Sequence, residues 1–388
     1  MSLWWARKNQ LDETQIKLIE DLPLRESQLV LGPPGSGKTN VLLRRAQFVR
    51  TQQMPNVMVL AFTRSLTEFL KTGCYDAQGR EIFPRACVST LESWIRSLYA
   101  QHDAQLPPEQ NSLPHWKAAL ADGAMGFASA GKVPQYDTLF VDEAQDLMPE
   151  EVALLRAWSP VLFLVGDDRQ QIYDHSAGLT AIHALDSPPS EHTLPFHYRM
   201  APELCEVADR ILVPQGGKPI SQSSLYVGPR PGRIEVHGPL ARSKQIDAAI
   251  AILRDQLRAY ADMIEQGDLL GIVVPRKDDR ETVLAALDND EALAGKAQIV
   301  RARGIDDRGY DPTLDPEKPI AILTEQGSKG LEFRALHWLF VNELAYYRRI
   351  ETYYTVVTRA KTSLDVYHDD DLPQILAKAY SAPATDIW

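Results

Sequence analysis

The fold is decided by residues 32–39, which read Gly32-Pro33-Pro34-Gly35-Ser36-Gly37-Lys38-Thr39. This stretch fits the pattern G-x-x-x-x-G-K-[ST], in which glycines allow backbone N–H groups to curl around phosphates. An apolar run precedes it and a helical pattern follows, which is the strand–loop–helix context that the pattern requires. Lys38 is expected to reach the β- and γ-phosphates, and the Thr39 hydroxyl to bind Mg²⁺. The residues expected to hold a nucleotide in this loop are Gly32, Gly35, Ser36, Gly37, Lys38 and Thr39.

Short apolar runs alternate with longer amphipathic segments through the first half of the chain. The runs cover residues 28–31, 57–62, 138–141 and 161–165, and each is followed by polar residues. They are rich in Val, Leu and Phe, which is typical of buried strands. Strands that alternate with helices predict an α/β fold with a parallel sheet covered on both faces. Ligands of such sheets bind at the carboxyl ends of the strands.

The same alternation recurs in the second half. Residues 269–274, 320–323 and 337–341 resemble strands, whereas residues 246–266 and 349–361 have helical patterns. Between the halves, residues 213–233 are dense in Pro, Gly and Ser. We therefore expect two domains, residues 1–215 and residues 216–388. Residues 101–135 and 294–319 have weak periodicity and are interpreted as surface insertions.

Two carboxylates follow the apolar run at residues 138–141. Asp142 and Glu143 begin the sequence Asp-Glu-Ala-Gln-Asp. At the end of a strand the chain turns, so both side chains can face the same ligand. Asp142 suits a Mg²⁺ ligand, and Glu143 suits the base that orients or deprotonates an attacking water. A charged strand-to-helix turn is the structural alternative, and the phosphate loop upstream favours catalysis over it.

Composition bounds the remaining possibilities. The net charge is −11, which argues against a protein that coats nucleic acid by bulk electrostatics but allows a locally basic groove. The three cysteines, Cys74, Cys87 and Cys205, lack metal-site spacing and are expected to be reduced thiols of a cytoplasmic protein. No apolar run has the length of a membrane span, and no signal peptide is visible. No membrane partner is expected.

Eight segments in a fixed order resemble the motifs of superfamily-1 helicases of the UvrD/Rep/PcrA branch. The resemblance extends over nearly the whole chain, from residue 11 to residue 367. Single motifs are weakly specific, but their order is highly specific. The segments are residues 11–15 (LDETQ), 59–64 (VLAFTR), 88–91 (VSTL), 142–146 (DEAQD), 165–173 (VGDDRQQIY), 194–199 (LPFHYR), 324–333 (TEQGSKGLEF) and 356–360 (VVTRA).

The resemblance implies roles for residues outside the phosphate loop. Gln15 would recognise adenine, Tyr198 would stack on it, and Glu332, with Gly330 nearby, would meet the ribose. Gln170 would contact the γ-phosphate and Arg199 would bind it, while Arg359 would act as an arginine finger. Segments around Arg276 and residues 329–332 would belong to the second domain. Nucleic acid would contact Phe62, Thr63, Arg64, Thr90, Tyr173 and His175.

The chain departs from this family at two levels. His175 stands where an aromatic residue usually stacks on a base, and Ser176 replaces an arginine of that segment. Imidazole is expected to stack less well than indole. The spacings from Thr90 to Asp142 and from Arg276 to Thr324 are short, so we expect the accessory subdomains that grip duplex in this family to be reduced to the two insertions. Strand separation is thus expected to be weaker than ATP hydrolysis or translocation.

Together these observations predict two RecA-like α/β domains with ATP and Mg²⁺ in the cleft between them. The expected function is translocation along single-stranded DNA, with 3′→5′ polarity implied by the resemblance and RNA as an alternative strand. A second hypothesis is an ATP-dependent switch or recruitment subunit for a partner nuclease or repair protein. A small-molecule P-loop kinase is a third, but it leaves the second domain unexplained.

Overall fold

The computed structural model describes residues 5, 8–76, 78–108, 112–130, 135–167, 169, 177–212, 219–300, 314–315, 317–343 and 350–381. The described chain divides into two compact units, one ending at Pro195 and the other beginning at Phe196. Both units are RecA-like α/β structures, each with a six-stranded parallel sheet. Among the described residues, no helix combines the length and apolar character required to cross a membrane.

The first unit, Trp5–Pro195, is built on a sheet with strand order β3-β2-β4-β5-β1-β6. All of its neighbouring strands are parallel. Its strands are β1 (Gln28–Leu31), β2 (Val57–Ala61), β3 (Val88–Thr90), β4 (Thr138–Val141), β5 (Leu162–Gly166) and β6 (Ser190–Thr193). Its helices are α1 (Glu13–Glu20), α2 (Lys38–Thr51), α3 (Arg64–Thr72), α4 (Leu91–Gln101), α5 (Leu113–Ser129), α6 (Pro149–Trp158) and α7 (Gly178–His183).

The first sheet has an apolar core on each face because successive strand residues point in opposite directions. Phe140 and Phe163 face the core that contains Val41 of α2. Their neighbours Leu139 and Leu164 face a second core on the other side of the sheet. Helices cover both faces, as the alternation of strands and helices predicts.

The second unit, which begins at Phe196, has the strand order β7-β12-β11-β8-β10-β9, again entirely parallel. Its strands are β7 (Arg233–His237), β8 (Leu270–Val274), β9 (Ala297–Ile299), β10 (Ile320–Thr324), β11 (Phe333–Trp338) and β12 (Ala360–Tyr367). Its helices are α8 (Pro202–Ile211), α9 (Arg242–Ala259), α10 (Ala261–Glu265), α11 (Lys277–Asp288), α12 (Ile350–Val357) and α13 (Gln374–Tyr380).

The division between the units lies before α8, not at residue 215 as expected. Helix α8 buries Leu204, Val207 and Ile211 in the same core as Leu364 of β12. Its apolar stripe therefore belongs to the second sheet, although the Pro- and Gly-rich segment that suggested a boundary follows it. As a result, Tyr198 and Arg199 lie in the same unit as Arg359, whereas the expected boundary placed them in the first domain.

The first expected surface insertion contains a core helix. Within residues 101–135, α5 buries Trp116, Leu120 and Ala124 in the same cluster as Trp158. The spacing of these residues is helical, but Ala and Gly fill much of the remaining helix, so the contrast between its faces is weak. Sequence periodicity therefore underestimates a helix that packs through small residues.

Two further boundaries differ from the expectations. Residues 349–361 have a helical pattern, but α12 ends at Val357 and Lys361 lies in β12. Strand β11 begins at Phe333, earlier than the expected start at residue 337. Every residue of β12 is buried, so this strand has no alternating apolar pattern that would distinguish it from a buried helix.

Helix α5 provides a matched pair of glycines for a test of this packing. We expect Gly126→Ala to stabilise the chain by about 0.5–1 kcal/mol, because the position is in a helix and an added Cβ meets no atom within 4 Å. We expect Gly123→Ala to destabilise it, because the added Cβ would lie 2.1 Å from the Tyr99 hydroxyl oxygen. Urea unfolding of both variants measures the difference. Equal effects would show that α5 does not pack on α4 as described.

Candidate nucleotide-binding site

The loop between β1 and α2 has a backbone shape that only glycine accommodates easily. Gly35 and Gly37 have positive φ angles of 76° and 85°. A Cβ on Gly32 would lie 2.8 Å from the Ser36 hydroxyl oxygen and 2.9 Å from Leu194 Cβ. The glycine spacing therefore reflects two physical needs, left-handed backbone and close packing, at the start of a 14-residue helix.

The side chains of Lys38 and Ser36 place polar groups inside this loop. The Lys38 ammonium donates to the carbonyl oxygens of Gly32, at 2.7 Å, and of Pro33, at 3.0 Å. The Ser36 hydroxyl is buried and has no hydrogen-bond partner among the described residues. Buried hydroxyls are normally paired, so a ligand oxygen at this loop would satisfy it. These features fit a polyphosphate, which would offer the ammonium stronger acceptors than neutral carbonyls.

Thr39 and Asp142 form the candidate Mg²⁺ ligands. The Thr39 hydroxyl donates to the Asp142 carboxylate at 2.8 Å, across 103 residues of sequence. Hydroxyl and carboxylate oxygens are the hard donors that Mg²⁺ prefers. Burial, followed by the charge of Glu143, raises the pKa of Asp142 above its ordinary value. A bound cation would offset both effects, so the donor set fits the expected metal.

Glu143 lies in an uncommon backbone conformation. Its φ of 54° and ψ of 44° are left-handed, which is unfavourable for a residue with a Cβ. Its N–H donates to the Asp142 carboxylate at 2.8 Å, and this contact holds the turn. Such backbone strain concentrates at functional sites, where the surrounding structure maintains it. The turn allows two consecutive acidic residues to leave the end of β4 on the same side.

Gln145 links the expected base to the next strand, a role that the sequence reasoning did not assign. Its amide nitrogen donates to the Glu143 carboxylate at 2.6 Å, and its amide oxygen accepts from the Asp167 N–H at 3.0 Å. Gln145 is buried. The sequence feature that could have indicated this role is the position of Gln145 within the Asp-Glu-Ala-Gln-Asp segment, two residues after Glu143. It orients Glu143 from a fixed point at the end of β5.

The side-chain amide of Gln15 stabilises the loop between β1 and α2. Its amide nitrogen donates to the Ser36 carbonyl at 2.9 Å, and its amide oxygen accepts from the Asp12 N–H at 3.1 Å. Asp12 in turn caps α1 by accepting from the Gln15 N–H at 2.8 Å. The expected contact with adenine stays a prediction, since the contacts of this amide seen here are with the chain itself.

Charged residues of the second unit converge on Glu332. Arg199 contacts one of its carboxylate oxygens, and the Lys361 ammonium lies 3.6 Å from the other. Lys361 is shared with Asp268, whose carboxylate lies 2.7 Å away. Burial alone would raise the pKa of Glu332, but Arg199, Lys361 and Arg359 lower it below its ordinary value. The residue expected at the ribose is thus an ion-pair partner of the arginine expected at the γ-phosphate.

The other predicted nucleotide contacts of the second unit have distinct surroundings. Arg359 is buried, and its Nε donates to the Thr355 carbonyl at 3.1 Å. Gly330 has a φ of 82° in the turn before β11, and Tyr198 is half-buried. Arg276 lies 3.0 Å from the Glu343 carboxylate, beside Arg242, whose guanidinium lies 3.8 Å from the centre of the Phe340 ring. Arg242 lies outside the eight segments that resemble helicase motifs.

The expected nucleic-acid contacts of the first unit follow two neighbouring strands. Thr63 caps α3 by accepting from the Leu66 N–H at 3.2 Å, and Thr90 caps α4 by accepting from the Ser93 N–H at 3.1 Å. Ala61 of β2 is paired with Thr90, so the two helix starts lie at the same sheet edge.

The remaining expected contacts differ in what the structure describes. The Lys117 ammonium lies 4.5 Å from the centre of the Phe62 ring, and Arg64 opens α3. Gln170, Tyr173 and His175 lie outside the described residues.

Comparisons with known proteins agree with this geometry over part of the chain. A family model described as an AAA domain, AAA_19, matches residues 15–176, which include the phosphate loop and both carboxylates. F-box DNA helicase 1 of Gallus gallus is 38% identical over 79 residues, which are 20% of this chain and 8% of that protein. A chain reported as "The structure of PRRSV helicase" has a TM-score of 0.42 and 14% identity, covering 90% of this chain and 54% of that one.

The matches therefore span a small part of the helicase sequence and about half of the viral chain. Residues 15–176 are therefore similar to an AAA domain, and the loop between β1 and α2 and the two carboxylates after β4 lie within that match.

Proposed function

We propose that this chain hydrolyses ATP with Mg²⁺ and uses the energy to move along single-stranded DNA. The observation that carries the proposal is the group formed by Lys38, Thr39, Asp142, Glu143 and Gln145. These side chains come from the carboxyl ends of β1 and β4, and Gln145 is anchored at the end of β5. Catalysis of phosphoryl transfer consists mainly of positioning and charge stabilisation, which is what these residue types supply.

Each residue has a defined task in this proposal. Lys38 binds the β- and γ-phosphate oxygens, and Thr39 and Asp142 would hold Mg²⁺, which neutralises developing phosphate charge. Glu143 orients the attacking water and accepts its proton, with Gln145 fixing the direction of the carboxylate. Arg199 and Arg359 supply cations for the γ-phosphate, so Arg199 must exchange Glu332 for phosphate. Lys361 remains beside Glu332 during this exchange.

The strand-binding part of the proposal rests on the helix starts at β2 and β3. Helix N-termini attract phosphates through their unpaired N–H groups and dipole, and α3 and α4 begin side by side. Arg64 adds a positive charge there despite the net charge of −11. DNA is favoured over RNA only by the resemblance.

We further propose translocation with weak unwinding. Helix α5, which falls in the first expected insertion, packs in the core of the first unit and is not an independent duplex-gripping domain. Most of the second expected insertion, residues 294–319, lies outside the described residues. Opening a duplex costs about 1.4 kcal/mol per base-pair step, and the fork must be held while it opens.

The first prediction concerns the base. Glu143→Gln should retain ATP binding and lower turnover by about 10²–10⁴-fold, because the shape is kept and proton transfer is lost. Lys38→Ala should instead weaken ATP binding by roughly 10–150-fold, because a charge-assisted contact is lost. Steady-state ATPase assays and equilibrium nucleotide binding separate the two effects. Glu26→Gln, on the surface before β1, is the control. Normal hydrolysis by the Glu143 variant would exclude Glu143 as the base.

The second prediction concerns the second unit. Arg359→Ala should lower ATP turnover by about 10³-fold or more with little change in ATP binding, because an arginine finger acts mainly on the transition state. Arg258→Ala is a matched control, since that arginine is exposed and pairs with Asp255 on α9. Single-turnover hydrolysis measures the chemical step directly. If both variants hydrolyse ATP equally, Arg359 does not act on the phosphate.

The third prediction concerns the strand. Single-stranded DNA should stimulate ATP hydrolysis, and Arg64→Ala should reduce strand affinity similarly for all sequences. If Arg64 contacts one phosphate, its loss should also flatten the plot of log affinity against log salt by about 0.7. Arg25→Ala is the control, because it removes the same single positive charge near the amino-terminal end of β1. It should change neither the strand affinity nor its salt dependence.

Measuring translocation and duplex unwinding under the same conditions tests the proposal that the chain unwinds duplex only weakly. Efficient unwinding of long duplex by the chain alone would contradict it. No stimulation by DNA or RNA would favour the switch or recruitment hypothesis over translocation.

A further inference from the structure

The edge of the second sheet places two carboxylates opposite each other. In the parallel pair of β7 and β12, Glu235 is registered with Asp365 and His237 with Tyr367. Like charges directly opposite on neighbouring strands repel, so a cation beside this pair stabilises the edge. Glu235 is exposed, His237 is half-buried and Asp365 is fully buried. None of these residues belongs to the proposed nucleotide site.

The three side chains have the spacing of metal ligands. His237 Nε2 lies 2.9 Å from Asp365 Oδ1 and 3.8 Å from Glu235 Oε2, and all three atoms lie within 4.8 Å of one another. A tetrahedral ion with bonds of about 2.0–2.1 Å places its ligand atoms roughly 3.3 Å apart. The two measured distances bracket this value, so small side-chain movements would complete the coordination.

Supporting contacts hold the buried members of the group. Gln256 of α9 donates to Asp365 Oδ2 at 3.2 Å, which leaves Oδ1 for the cluster. Gln256 also contacts His337 at 2.8 Å, and His337 contacts the Tyr367 hydroxyl at 2.9 Å. The His237 ring stacks on Tyr367 with centroids 4.6 Å apart. Outer contacts of this kind orient the ligands of metal sites.

We propose that Glu235, His237 and Asp365 bind a divalent transition-metal ion of the zinc class, which clips the edge strand β7 to β12. One imidazole and two carboxylates favour such an ion over Mg²⁺ or Ca²⁺, which prefer oxygen ligands alone. Water would complete the coordination from the exposed side. The site is separate from the nucleotide chemistry and does not depend on the proposed function.

Arg233 sets the affinity of this site because it competes with the ion. Its guanidinium contacts both Glu235 oxygens, at 2.7 and 2.6 Å, and lies 3.8 Å from Asp365 Oδ1. With 45% of the side chain exposed, it can move into solvent when an ion replaces it. The alternative is that Arg233 alone neutralises this edge and no ion binds. In that case, replacing Arg233 should lower the stability of the chain and should not increase its affinity for metal.

The test uses the full-length chain, freed of metal by a chelator and without nucleotide. Co²⁺ is the probe, because its visible absorption reports nitrogen and oxygen ligation, and Zn²⁺ is then added as a competitor. We expect one Co²⁺ per chain. His237→Gln and Glu235→Gln should each weaken binding by more than the roughly 10- to 100-fold typical of a supporting residue. Arg233→Met should strengthen it.

His183→Gln is the matched control, since among the described residues the exposed His183 pairs with a single carboxylate, that of Glu191, at 3.1 Å. It should leave Co²⁺ binding unchanged. Zn²⁺ should raise the Tm of the unmodified chain and of His183→Gln but not that of His237→Gln. Glu235 is exposed, so its variant tests the site even if His237→Gln folds poorly.

The proposal is overturned if the unmodified chain and Arg233→Met bind no Co²⁺. It is equally overturned if His237→Gln and Glu235→Gln bind Co²⁺ as tightly as the unmodified chain. Neither result bears on ATP hydrolysis.

Discussion

The hydrogen bond from Thr39 to Asp142 depends on the order of strands in the first sheet. Strand β5 lies between β1 and β4, so the helix that follows β1 must reach across it to the carboxylate that follows β4. Gln145 bridges the ends of β4 and β5, because it contacts both the Glu143 carboxylate and the Asp167 N–H. The parallel arrangement makes this possible because all three strands end at the same edge.

Among the described residues of this site, positive φ angles occur at a few positions whose neighbours hold them. Gly35 and Gly37 adopt positive φ without cost to a side chain, whereas Glu143 does so with one. The Asp142 carboxylate holds the Glu143 N–H, and Gln145 holds its side chain. A carboxylate held in a fixed direction does not have to be ordered when a ligand binds, which lowers the entropic cost of that step.

In the second unit, largely buried side chains of positive and negative charge alternate along a series of ion pairs. Arg199, Glu332, Lys361, Asp268 and Arg334 form a continuous series in which each carboxylate lies between two cations. Removing one partner from a buried pair leaves an uncompensated charge, which is strongly destabilising. Lys361 contacts both Glu332 and Asp268, so it joins the two carboxylates of the series.

The sequence by itself determined the phosphate loop, the two carboxylates and the strands at residues 28–31 and 138–141, because each depends on local chemistry. Glycine spacing and a continuous apolar run report the backbone directly. Tertiary structure decided what depends on contacts between distant residues. Helix α8 joined the second sheet through its apolar stripe. Arg199 paired with Glu332, a residue 133 positions away, and the register of β7 and β12 brought Glu235 beside Asp365. Strand register and helix packing create these pairs, and no local pattern specifies them.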